Sequence, residues 1–347
     1  MRPAPTSPDL LPRLTSLRIV AALAVAVFHL QGRDVVAIPG ALADSWYVGV
    51  AFFFVLSGFV LAWGTRPGLP AGTFWRRRFA RIWPSHLVMV GVAAVVPVVQ
   101  TQRSLADAGW NILLLQGWST GTTAFSMNAV AWSLSCEAFF YALFPLLVWA
   151  ARRCPGWVRW SVAGAGLVLA VGAGLVVGGW AYHMPIFRLP EFVLGVVAGL
   201  AVRDGWRPAV PTWVVMPAVV VGLVVSLHVP DPVPDAPMAV LFLGVILWAQ
   251  DRDRRDVPGW LRSRALVFAG EASFAFYLVH ELVIVNLVGH LPGPGWLQAA
   301  VMLLLGAVAA VVLHLGVEKP ANRWIRGGSR SRALVPVADV ADPRPVS

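Results

Sequence analysis

An arginine and a histidine stand eleven residues apart in "LTSLRIVAALAVAVFHL" (14–30), with little but Val, Ala, Leu and Ile between them. At 100° per residue, that spacing returns a helix to within about 20° of its starting direction, about 16 Å further along its axis. Arg18 and His29 are therefore expected on one helix face. Ionisable groups in hydrocarbon are costly and turn toward a bundle interior or a watery cavity. A snorkelling arginine with an interfacial histidine is the plain structural alternative, but the shared face favours a common cavity.

Other polar groups follow the same habit. In "AVAWSLSCEAFFYALFPLL" (129–147), Ser133, Glu137 and Tyr141 fall at i, i+4 and i+8, one stripe of a helix. In "EASFAFYLVHELVIV" (271–285), Ser273, Tyr277 and His280 fall at i, i+4 and i+7. Ser57 precedes Gly58 at the middle of "YVGVAFFFVLSGFVLAW" (47–63), where small residues also serve close helix packing. "FWRRRFARIWP" (74–84) sets Arg77, Arg78 and Arg81 on a short helix that Pro84 is expected to interrupt. Such a group is either an ordinary cytoplasmic basic loop or a clamp for a polyphosphate, whose oxygens suit the guanidinium fork.

Chemically, these residues suit proton transfer. A histidine held neutral in a cavity can take the proton of a hydroxyl, freeing the oxygen to attack a thioester. Glu137 can orient that histidine or the hydroxyl; alternatively it is a protonated structural acid. His280 serves equally as a cavity residue or a packing histidine. G-x-S-x-G, HExxH, Walker and GxGxxG patterns are absent from the sequence, so hydrolase, protease and ATPase readings lack support. Cys136 and Cys154 are the only cysteines and provide neither a disulfide framework nor a zinc site. No metal and no permanently bound cofactor is expected.

The elements that must position these groups are membrane spans. Of the 347 residues, 58% are hydrophobic and 13% charged, about half the charge of a soluble domain. Apolar runs lie at roughly 15–31, 46–64, 84–100, 131–151, 160–180, 186–203, 210–229, 236–250, 269–289 and 296–317. The expected fold is all-α and polytopic, with about ten transmembrane helices. "LADAGWNILLLQGW" (105–118) is too short to span and is expected to be interfacial or re-entrant. With the N-terminus inside, all but Arg33, Arg103 and Arg188 of the 27 lysines and arginines fall on the cytoplasmic side. Both termini are thus expected in the cytoplasm of a cell-membrane protein, and the +10 net charge reflects topology rather than nucleic-acid binding. The first run has the basic lead of a secretory signal, but nine more runs follow, and it is expected to be retained. The chain divides into an N-terminal tail (1–13), a transmembrane domain (14–326) and a Gly/Ser/Pro-punctuated tail (327–347) expected to be disordered.

In order along the chain, six pieces resemble the acyltransferase-3 family of membrane O-acyltransferases. "LRIVAALAVAVFH" is similar to its arginine, ten residues, histidine opening, on Arg18 and His29. "FFFVLSGFVL" resembles its second-helix signature, with Ser57, and "RRFARIWP" its R-x-x-R element, on Arg78 and Arg81. "WSLSCEAFFYALFP" is similar to the segment carrying Trp132, Glu137, Tyr141 and Pro145. "SFAFYLVH" and "VEKPANRW" resemble its late segments, with His280, Glu318 and Pro320. The chain departs from the family pattern at Thr15-Ser16, Ala51 and Ala138, which points to a subgroup with its own substrate.

The resemblance implies an O-acyltransferase that takes an acetyl or short-to-medium acyl group from acyl-CoA. Its acceptor would be a hydroxyl of a carbohydrate, a surface glycan or a secondary metabolite such as a macrolide. It implies donor phosphates on Arg18, Arg77, Arg78 and Arg81, His29 as base with Glu137 beside it, and a cavity lined by Ser57, Ser133, Tyr141, Tyr277 and His280. The competing expectation is a ten-helix proton-coupled transporter of a small organic solute, in which the arginines only set topology.

Overall fold

The computed structural model describes residues 11–65, 68–96 and 104–325. The two expected tails lie outside these residues, except that Pro12 and Arg13 already belong to the first helix. Among the described residues there are thirteen α-helices and no strand. They are α1 (Pro12–Gln31), α2 (Gly49–Trp63), α3 (Ala71–Val95), α4 (Leu105–Ile112), α5 (Trp132–Arg153), α6 (Gly156–Val177) and α7 (Gly179–His183). After these come α8 (Pro185–Arg203), α9 (Thr212–Ser226), α10 (Asp235–Arg254), α11 (Arg264–Leu287), α12 (Gly295–Leu313) and α13 (Lys319–Ile325).

Each of the ten apolar runs overlaps a helix, but only seven helical segments are long and apolar enough to cross a membrane. The three that fall short have evident reasons. α9 has 15 residues; α10 carries charge at both ends, from Asp235 and from Asp251 to Arg254; and α3 holds Arg76, Arg77, Arg78 and Arg81 in its first half. Pro84 does not interrupt a short arginine helix as expected. α3 runs straight through it, so the arginines and the following apolar run form one element. A proline inside a buried helix removes one N–H, a cost that neighbouring helices in a bundle can offset.

Close backbone approach sets the frame. A Cβ on Gly58 of α2 would overlap the Phe192 carbonyl of α8, and one on Gly195 of α8 would overlap the Val55 carbonyl of α2. Only glycine permits these two helices to lie this near, so the packing reading of Gly58 holds. α1 and α11 are joined the same way: a Cβ on Gly270 would overlap the Thr15 carbonyl. Ser16 Oγ donates to the Leu261 carbonyl at 2.6 Å beside that contact. Further along, His29 of α1 reaches Glu281 of α11, so the two helices run parallel and carry their polar residues together.

The 104–131 segment is short and irregular, as expected for a non-spanning stretch. Some of its polar groups bond to the bundle and others within the segment, as irregular backbone packed against helices requires. His86 Nε2 lies 2.8 Å from the Asn111 main-chain carbonyl oxygen, Gln116 Nε2 donates to Ala131 O at 2.7 Å, and Asn128 Nδ2 donates to Leu278 O at 2.8 Å. Ser104 and Asp107 close a capping box at the start of α4. There the Ser104 hydroxyl and backbone N–H hold the Asp107 carboxyl below its usual range.

Candidate active site

The polar residues gather around two carboxylates. At the outer one, His29 Nδ1 lies 3.3 Å from Glu281 Oε2, and Arg33 forms an ion pair with the other oxygen of the same carboxylate. Arg33 also donates to the His29 carbonyl at 3.1 Å, one turn back on the chain. Glu281 is 2% exposed, a burial tolerable for a carboxylate only when it is paired. The His280 ring centroid sits 5.4 Å from that of His29. His280 Nδ1 is 3.2 Å from the Phe276 carbonyl, which makes it the protonated nitrogen. Its buried Nε2 has no partner.

His29, His280 and Glu281 bring donor atoms within 4.8 Å of one another, a spacing that could hold a metal ion. The Arg33 guanidinium on Glu281 sets a positive charge beside the place a dication would take, which opposes such use. The geometry fits a carboxylate-oriented histidine better. Glu281 faces Nδ1, so a proton carried on that nitrogen would leave Nε2 free to accept one.

The inner cluster centres on Glu137. Tyr141 Oη donates to Glu137 Oε2 at 3.1 Å and lies 2.9 Å from Ser57 Oγ. Arg18 lines one small cavity with Glu137. Arg78 lies over the Tyr141 ring at 5.9 Å. Arg81 pairs with buried Glu318, which also meets His314 Nδ1 at 2.9 Å across the π-helical turn His314–Glu318. Arg77 is exposed and lines none of the cavities described below. Glu137 makes its described hydrogen bond with Tyr141, and the carboxylate facing His29 is Glu281. Trp132, which walls the outer cavity, begins α5, and Glu137 lies more than a turn further along that helix, level with the arginines.

Three cavities lie along the clusters. An inner vestibule of about 420 Å³ is walled by Arg81, Lys319 and Arg323 with Glu271 and Glu318. A small cavity of about 40 Å³ is lined by Arg18, Glu137, Ser133, Ser273, Phe274 and Tyr277. An outer cavity of about 580 Å³ takes in His29, Trp132, Tyr182 and, again, Tyr277. Arg81 stacks over Phe274 at 5.8 Å, joining the first two. Tyr277 is the shared wall of the last two, its Oη 3.1 Å from Ser133 Oγ and donating to Val130 O at 3.2 Å. In place of the common cavity expected for Arg18 and His29 there are two chambers, one with each residue, with Tyr277 and Ser133 in contact between them. Ser57, Ser133, Tyr141 and Tyr277 join this polar core, and His280 sits beside His29.

Sequence reasoning missed Glu281 and Arg33. Glu281 directly follows His280, and an acid inside an apolar run was the available signal. Arg33 counted only toward topology. So did Arg188, which is fully buried and pairs with Asp235 and, at 3.2 Å, with Glu191.

Comparison with known proteins accords with this geometry. The acyltransferase domain of the acyltransferase-3 type matches residues 11–315. The chain is 36% identical to the acyltransferase MdmB of Streptomyces mycarofaciens, over 96% of this chain and 95% of that one. It is 27% identical to the O-acetyltransferase OatA of Staphylococcus aureus over 41% of this chain, a match that spans 25% of OatA. No solved structure matches. The chain is a multi-pass membrane enzyme that transfers acyl groups, and it belongs to the acyltransferase-3 family.

Proposed function

We propose that this protein moves an acetyl or short-to-medium acyl group from acyl-CoA to a hydroxyl of a carbohydrate, a surface glycan or a secondary metabolite such as a macrolide. The observation that carries this reading is His29 at the wall of a 580 Å³ chamber, its Nδ1 facing a buried carboxylate and its other nitrogen left for chemistry. His29 Nε2 takes the acceptor O–H proton as the oxygen bonds to the thioester carbonyl carbon. The C–S bond then breaks, and His29 returns the proton to the departing thiolate. Glu281 holds the imidazole in the right tautomer and balances the transient imidazolium. Arg33, paired with the same carboxylate, holds Glu281 in place.

The donor's phosphates belong at the opposite end. Arg78, Arg81 and Arg18 supply the guanidiniums, with Lys319 and Arg323 in the vestibule, a charge suited to the phosphates of CoA. Arg77, exposed at the same helix end, is the outermost candidate. Glu137 is assigned to positioning these arginines and Tyr141 rather than to proton abstraction at His29. The reading also includes ten crossings with both termini cytoplasmic, supported by the basic-residue asymmetry and by the parallel run of α1 and α11. The transporter alternative has no observation in its favour within this family.

Purified protein in detergent, given acetyl-CoA or a longer acyl-CoA, is expected to release thiol only with an acceptor hydroxyl present. His29→Ala is expected to lower that release by about 10²-fold or more. Unchanged transfer in His29→Ala would remove the assignment.

A further inference from the structure

The outer chamber has a wall that the proton transfer does not use. Its rings form a continuous row: Phe28 is 5.1 Å from His29, Tyr47 is 5.8 Å from Phe28, and Tyr182 is 5.8 Å from Tyr47. Trp180 lines the same space. The Tyr47 hydroxyl donates to Asp231, which also lines the chamber and is exposed to it. Among the described residues Asp231 has no cationic partner. Near these rings, the single guanidinium of Arg188 faces two carboxylates, Asp235 and Glu191, and so cannot also balance Asp231. The wall thus joins electron-rich ring faces to an uncompensated carboxylate.

That combination selects one ligand chemistry. Aromatic faces attract cations, most strongly where water is excluded, and surfaces of several rings are the usual receptors for alkylated ammonium groups. A bare ammonium holds its water tightly; alkyl substituents weaken that hold and fill the space between rings. Arg188 already lies 5.9 Å from the Trp132 ring and 5.8 Å from that of Tyr182. Among the described residues no cation lies over Phe28, Tyr47 or Trp180, which line the chamber. We propose that the outer chamber recognises acceptors bearing a tertiary or quaternary amine, with Asp231 as counter-ion and these rings as its cage. Two ring-to-ring steps separate the cage from His29, so an acceptor anchored there presents a neighbouring hydroxyl to the base. The orientation toward His29 rests on the acyl-transfer reading; the ammonium site itself does not.

The test uses the full-length protein in neutral detergent, with no donor and no chemistry. A spin-labelled quaternary ammonium, 4-trimethylammonium-TEMPO, and its neutral counterpart 4-hydroxy-TEMPO are titrated and their immobilised fractions read by electron paramagnetic resonance. The cation is expected to bind saturably and at least about tenfold more tightly than the neutral probe. Asp231→Asn is expected to erase that preference, whereas Asp231→Glu, which retains the charge, keeps it. Equal binding of the two probes, no saturable binding, or wild-type preference in Asp231→Asn would overturn the proposal. Because the probe undergoes no transfer, any of these results leaves the thiol-release test of acyl transfer standing on its own.

Discussion

Glu281 has no hydroxyl or thioester of its own to act on; its influence passes through the His29 imidazole. Glu281→Gln keeps the shape but removes the charge that stabilises the imidazolium and fixes its tautomer. We expect kcat to fall by about 10²-fold with the acyl-CoA KM nearly unchanged, measured by thiol release. A purely structural role would instead appear as a lower melting temperature with a proportionate loss of active protein. Arg78 should show the opposite split. It faces Tyr141 and the Glu137 cluster and has no ion pair among the described residues. Arg78→Ala should therefore raise the acyl-CoA KM by about tenfold, the worth of one charge-assisted phosphate contact, while kcat is retained. Arg81 is a poorer probe, since removing it leaves buried Glu318 with His314 in place of its guanidinium partner.

At the scale of elements, the decisive joint is between α1 and α11. His29 lies on one helix and Glu281 on the other, and the Thr15–Gly270 contact fixes how closely those helices approach. Gly270→Val would drive a side chain into the Thr15 carbonyl. We expect it to cost about 1–3 kcal/mol of stability by overpacking. We also expect transfer to fall more than the fraction of folded protein, because the imidazole moves off its carboxylate. Comparing thermal melting with specific activity checks both. The 104–131 segment works similarly for the outer chamber. Asn111 and Gln116 bond within this irregular stretch, while Asn128 ties it to α11 and the Gly117 N–H to Ser135 of α5. It thereby carries Thr120, Thr122 and Phe125 to the chamber wall.

For the molecule as a whole, the chambers make Tyr277 the narrow point. A space of about 40 Å³ admits little more than a water molecule, so an acyl chain drawn from the arginine end must displace the Tyr277–Ser133 contact. Tyr277→Ala should therefore open the route and shift donor preference toward longer chains. Each additional buried methylene is worth about 0.8 kcal/mol, so an octanoyl-to-acetyl rate ratio several-fold above wild type is expected. An unchanged ratio would mean the chain does not pass Tyr277. The route also accounts for the division of polar residues: cations gather where phosphates would bind, and aromatic walls where an acceptor would.

Much of this protein was legible in its sequence because hydrocarbon penalises polar groups so heavily. An all-helical membrane chain, a shared helix face for Arg18 and His29, and a short list of polar residues worth attention all follow from that penalty and from 3.6-residue periodicity. The order of family motifs did the rest. What the sequence could not determine was which carboxylate meets which cation. Glu137 and Glu281 are both acids in apolar runs, and nothing local says that one meets Tyr141 in a cavity shared with Arg18 while the other faces a histidine. That choice depends on helix depth and on glycine contacts between helices distant in sequence. So does the closure at Tyr277, since a wall between chambers is made by side chains of α5 and α11 meeting, a relation that exists only after the bundle packs.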